Sequence, residues 1–207
     1  MVRNGKICLL VAVMALLLLT ACGHEHTWVE ETTEDYIQAV TVKTRTCEDC
    51  GEVEEEIIPM ETLHDDSRFL CSADEFALRL EGILLKGKDT FGHITVESYM
   101  AIWWLMKENG DNVGGLFIID GDETTYSRFG DVVAVLYGDE AQCEFLSTSI
   151  LSALMPALDD PEDLYDRLVT ADGEPVEENG LICYLFPQNT GISLEVMTEV
   201  EAQKYDK

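Results

Sequence analysis

Hydrophobic positions along this 207-residue chain fall into three regimes. From Ile7 to Leu19 they run without a break. From Tyr36 to Pro59 they alternate with polar residues on both sides of Cys47-Glu48-Asp49-Cys50-Gly51. A period of two predicts two strands joined at that turn. From about Leu70 apolar residues become dense and the period changes repeatedly. Ser72-Ala73-Asp74-Glu75 has the form of a capping box, a helix start in which the first and fourth side chains satisfy each other's backbone amides. Phe76, Leu80, Ile83 and Leu84 then share one helical face, and Gly87 suits the stop.

The remainder predicts strands, helices and strands in turn. Residues 92–107 fit either period; as a strand they place Ile94, Val96, Met100, Ile102 and Trp104 on one face. The turn cluster Glu108-Asn109-Gly110-Asp111-Asn112 and the strand-like run ending at Gly121-Asp122 favour a hairpin. Adjacent Trp103 and Trp104 then face opposite sides, one into a core and one available as an aromatic platform. Residues 127–137 fit either period. Asp139 caps a helix striped by Cys143, Leu146, Ile150, Ala153 and Leu154 until Pro156. Asp160-Pro161 opens a shorter helix with Leu164 and Leu168 inward. Residues 172–180 form a polar turn, and a last hairpin closes around Gln188-Asn189-Thr190-Gly191. This order predicts an α+β fold, an antiparallel sheet with helices packed on one face. The expected division is a leader over 1–21, a small hairpin segment over 22–68 and an α+β domain over 69–207.

The first regime changes the picture from fold to address. Arg3 and Lys6 precede an apolar run of 13 residues, short of the ~20 that span a bilayer as a helix. Leu19-Thr20-Ala21-Cys22 follows. Basic, apolar and small-residue segments in this order describe a secretory signal peptide. Leu-Thr-Ala-Cys resembles the lipobox of bacterial lipoproteins. The resemblance implies cleavage before Cys22, a diacylglyceryl group on its sulfur and acylation of its new amino terminus. Two or more acyl chains give a stable membrane anchor where one does not. The expected location is the extracytoplasmic face of the cell membrane.

Charge narrows the partners. Loss of Arg3 and Lys6 leaves 11 basic against 41 acidic residues, a formal charge of −30. Such a surface repels nucleic acid and anionic lipid head groups. The acids show no EF-hand spacing.

The cysteines and histidines carry the candidate chemistry. Cys8 belongs to the leader and Cys22 to the anchor. Cys71, Cys143 and Cys183 lie far apart among apolar residues, the setting of buried thiols, with one disulfide among them the alternative in an exported protein. Cys47 and Cys50 sit at the hairpin turn, where Gly51 permits a positive φ. That arrangement resembles the knuckle of zinc ribbons, in which two thiolates occupy two tetrahedral corners. The segment also looks like the short His/Trp/C-x-x-C-G modules that follow the lipid cysteine in some anaerobe surface lipoproteins. Two further ligands close a structural site. His26 and His64 flank the hairpin, and His24 is the alternative to His26. The expected set is His26, Cys47, Cys50 and His64 around structural zinc. A Cys47–Cys50 disulfide is the competing expectation. A redox C-x-x-C normally opens a helix in a βαβ setting, which these flanks lack.

Nucleotide-binding glycine motifs and the G-x-S-x-G elbow are absent from the sequence. His93 alone serves the larger domain. The expectation is a non-enzymatic surface lipoprotein that binds an extracellular ligand. The alternatives are a zinc-handling lipoprotein and a surface hydrolase built on carboxylates or on Cys71 and His93.

Overall fold

The computed structural model describes residues 25–99, 102–119 and 129–205. The expected leader, Cys22 and His24 lie outside them. The described residues divide into two compact units, one holding 25–33 and 42–58, the other holding 34–41 and the described residues from 59 to 205.

The smaller unit is built on strands β1 (Trp28–Asp35), β2 (Val40–Cys47) and β3 (Val53–Pro59), in the order β1-β2-β3. The alternation that predicts β2 and β3 is therefore correct, and β1 adds a third strand the pattern did not separate. Its side chains bury little. Val29, Val53 and Ile57 are exposed, while Cys47 at the end of β2 is only 1% exposed. So small an apolar core needs another source of stability, typically a metal or a disulfide.

The larger unit begins its regular structure with helix α1 (Ala73–Leu84). The Ser72 hydroxyl accepts from Glu75 N at 3.2 Å, and the Glu75 carboxylate accepts from Ser72 N at 2.8 Å. The capping box is thus complete, and Phe76, Leu80 and Leu84 are buried along one face. A 3-10 turn (Leu85–Gly87) and the short helix α2 (Lys88–Phe91) follow.

Strands β4 (Ile94–Tyr99), β5 (Ile102–Lys107), β6 (Asn112–Ile119), β7 (Asp131–Tyr137), β8 (Val176–Glu178), β9 (Leu181–Gln188) and β10 (Gly191–Thr198) form one antiparallel sheet, ordered β4-β5-β6-β7-β10-β9-β8. Helices α3 (Glu140–Leu154) and α4 (Pro161–Ala171) pack on it beside α1. Helix α3 lies over β7 and β10, between its neighbours α1 and α4. Contact on three sides explains why its buried set extends beyond the predicted stripe to Ser147, Thr148 and Ser149. The sheet face under the helices is lined by Ile94, Leu105, Leu116, Ala134, Leu194 and Cys183, all fully buried. The fold is the expected α+β class.

Several local expectations change. Residues 92–107 are two strands rather than one, paired Tyr99 to Ile102 and Ile94 to Lys107. The chain reverses between them, so Ile94 and Val96 face the helices while Ile102 and Trp104 share the opposite face. Residues 127–137 contribute the central strand β7. The polar stretch 172–180 contains the short edge strand β8, paired Val176 to Cys183. A final helix α5 (Glu199–Tyr205) had no counterpart in the pattern.

Candidate metal centre

The centre is assembled where β2 ends and β3 begins. Cys47 N donates to Glu52 O at 2.8 Å, and Gly51 N donates to Cys47 O at 2.9 Å. These bonds curl residues 47–52 into a tight turn. Gly51 takes φ +71°, and a Cβ there would meet nothing within 4 Å. Backbone conformation, not crowding, therefore calls for glycine. The segment entering β1 is tied to the same turn, because Glu48 N donates to Thr27 O at 3.0 Å.

That tie delivers His26 to the cysteines. Its Nδ1 stands 3.7 Å from Cys50 Sγ. One ligand atom each from His26, Cys47 and Cys50 lies within 4.8 Å of the other two. A tetrahedron with metal–sulfur bonds of about 2.3 Å and a metal–nitrogen bond of about 2.0–2.1 Å has an N–S edge of about 3.6 Å. The observed His26–Cys50 separation matches that edge. Two soft thiolates and an imidazole also form the donor set that zinc prefers over hard cations. Cys47 is buried, Cys50 is exposed and His26 is half-buried. Cys47 and Cys50 are not bonded to each other.

The surroundings orient the imidazole. Its ring stacks on Trp28 with centroids 5.0 Å apart and planes 13° from parallel. Its Nε2 faces Glu52 Oε2 at 3.6 Å. A ligating histidine commonly turns its second nitrogen to a carboxylate, which sets the tautomer and raises basicity. Sequence reasoning did not single out Glu52. The signal was a carboxylate directly after the C-x-x-C-G, visible only once the turn places it beside His26.

The other sequence-derived site residues are placed differently. His64 belongs to the larger unit, where Nε2 donates to Asn179 O at 2.8 Å and Nδ1 lies 3.2 Å from Asp65 O. It also pairs edge-on with Phe69 and forms an isolated bridge to that residue. Its ring is thus engaged by backbone carbonyls. Cys22 and His24 fall outside the described residues.

The remaining described thiols, Cys71, Cys143 and Cys183, are buried. Burial pushes Cys71 and Cys183 up to about 12, and it also raises Cys143. Thiols held protonated in this way are poor nucleophiles. His93 lies at the start of β4 with its Nδ1 3.1 Å from Glu108 Oε1.

No helix among the described residues is long and apolar enough to cross a membrane. Comparison of the chain with protein-family models, with curated proteins and with solved structures finds no match.

Proposed function

We propose that the chain is a lipid-anchored extracytoplasmic binding protein. Cys22 carries the anchor, a zinc ion stabilises the small β-unit that follows it, and the larger α+β unit binds an extracellular ligand without transforming it. The observation that carries this reading is the convergence of His26, Cys47 and Cys50 to within 4.8 Å of one another. A unit with so few buried apolar side chains gains folding free energy from such a metal site directly. The burial of Cys71, Cys143 and Cys183, which raises the pKa of each thiol, supports binding over nucleophilic catalysis. The charge of −28 supports a partner other than nucleic acid.

The test is made on full-length protein expressed with its leader and recovered from membranes. Intact mass is expected to show residues 22–207 with added acyl groups, and Cys22→Ala is expected to lose them. Metal analysis is expected to give one zinc per chain, lost in Cys47→Ser and Cys50→Ser. A zinc-free chain two mass units light, from a Cys47–Cys50 disulfide, would overturn the metal reading. An unmodified Cys22 would overturn the anchor.

A second reading is that zinc is carried exchangeably. The exposure of Cys50 favours it, since a ligand open to solvent is open to a competing chelator. Chelator-driven release over seconds supports carriage; retention over hours supports a structural ion.

A further inference from the structure

The larger unit carries a groove of about 630 Å³ between helix α1, helix α3 and the turn at Ile37 and Gln38. That volume falls in the range of small-ligand sites. Its apolar wall is made by Leu78, Ile83 and Phe145, and Leu78 is 55% exposed although it is a leucine.

The polar wall is unusual for this chain. Arg79 and Lys86 both line the groove, against one acid, Glu162. The cavity is therefore locally positive in a protein of charge −28. Arg79 is held in place by backbone carbonyls, with Nε donating to Ala153 O at 3.0 Å and Nη1 to Ile37 O at 3.1 Å. Both acceptors are neutral, so the guanidinium charge is not matched by a carboxylate among the described residues. Nη2 makes no hydrogen bond among the described residues, which leaves its two donors available to a ligand. Burial lowers the Arg79 pKa, which marks the cost of holding this cation partly out of water. Ser149 adds a second donor. It is 3% exposed, lines the groove, and its hydroxyl makes no hydrogen bond among the described residues. The neighbouring hydroxyls are used internally: Thr148 donates to Glu144 O, and Ser152 to Thr148 O.

We propose that this groove binds the carboxyl terminus of a peptide, with the carboxylate on Arg79 Nη2 and the Ser149 hydroxyl and an apolar terminal side chain against Leu78, Ile83 and Phe145. A planar guanidinium suits a carboxylate geometrically. Lys86 adds positive potential at the groove. Peptide amides match the remaining polar wall, including Gln38, better than an alkyl chain would, because an alkyl chain would leave those groups unpaired. The inference deepens the reading of the chain as a binding protein, and it is independent of the zinc and the anchor.

The test is calorimetric titration of the zinc-loaded mature chain. The probes are acetyl-Ala-Leu-Phe with a free carboxylate, the same peptide as its amide, and decanoate. The free acid is expected to bind at least ~10-fold tighter than either comparison ligand, a difference of about 1.4 kcal/mol. Leu78→Glu, an exposed change, is expected to abolish binding. Arg79→Lys and Ser149→Ala are expected to weaken it at least ~10-fold, and Lys88→Gln, outside the groove, to leave it unchanged. Should Arg79→Lys unfold, Leu78→Glu and Ser149→Ala decide. Equal binding of acid and amide, tighter binding of decanoate, absence of binding by all three, or indifference to Leu78→Glu would each overturn the proposal. Such a failure with zinc and acyl groups intact removes the groove and leaves the anchored, metal-stabilised reading standing.

Discussion

His26 Nδ1 stands 3.7 Å from Cys50 Sγ although 24 positions separate the two residues. The contact exists because the Glu48–Thr27 backbone bond draws the chain before β1 onto the turn after β2. The opposite ring nitrogen faces Glu52 at 3.6 Å. Replacing Glu52 with Gln removes the carboxylate while keeping its shape. Zinc affinity is expected to fall roughly 10- to 100-fold. Competition with a chromogenic chelator measures this, and an unchanged affinity would show that Glu52 does not support the ligand.

Proton competition gives the metal centre a pH dependence of known sign. Sulfur and imidazole ligands must lose their protons to bind, so zinc held at the proposed centre is expected to be released as pH falls. The thermal midpoint of the small unit, followed through Trp28 beside His26, is expected to drop on acidification in zinc-loaded protein. With chelator present the same scan is expected to be flat.

Asp131 opens β7 with its side chain 1% exposed, and neither carboxylate oxygen has a hydrogen-bond partner among the described residues. The adjacent Val132 amide favours the charged carboxylate only weakly. Burial foremost, then Glu195 and Glu201, pushes Asp131 up to about 7. Glu201 is itself paired with Lys204. The unfolded chain releases this proton near pH 4 and the folded chain near pH 7. Between those values the folded state binds more protons, so stability falls as pH rises through the window and levels off above it. Asp131→Asn removes the charge. Urea unfolding with chelator present is expected to show a smaller loss from pH 5 to pH 8, with the variant more stable at pH 8 by on the order of 2 kcal/mol. Identical slopes in the two proteins would refute this account.

Trp103 and Trp104 test the orientation of β5. Trp103 is 5% exposed and belongs to the core beneath the helices. Trp104 lies on the other face, where Gly115 on β6 leaves room for its ring; a Cβ there would come within 3.2 Å of it. Trp103→Ala is expected to cost about 3–5 kcal/mol. Trp104→Ala is expected to cost about 1 kcal/mol, as a change outside the main core. Equal losses in denaturant unfolding would mean that the strand faces are assigned wrongly.

The α1 start offers a local test. Ser72→Ala removes the acceptor for Glu75 N and is expected to cost about 1 kcal/mol in denaturant unfolding, while Ser72→Thr keeps the cap and most of the stability. Equal stability of Ser72→Ala and the parent would show that the cap carries no weight here.

Much of this architecture was legible in the sequence because its signals are local. Ser72, Asp139 and Asp160 accept from amides three residues onward, within one turn of their own helices. The C-x-x-C-G turn and the hairpin at Gln188–Gly191 likewise depend on neighbouring residues alone. Tertiary structure decided what rests on distant partners. The apolar run at 131–137 fits two periods by itself and becomes a strand through pairing with β6 and β10 on either side. The reversal between Tyr99 and Ile102 sets which tryptophan is buried. His26, His64 and the cysteines give spacings that permit several ligand sets. Backbone bonds bring His26 to Cys50 and Glu52, while Asn179, from more than a hundred residues away, engages His64. Capping and turn geometry are written in adjacent residues, whereas convergence of side chains depends on which segments pair, and no single stretch of chain contains that information.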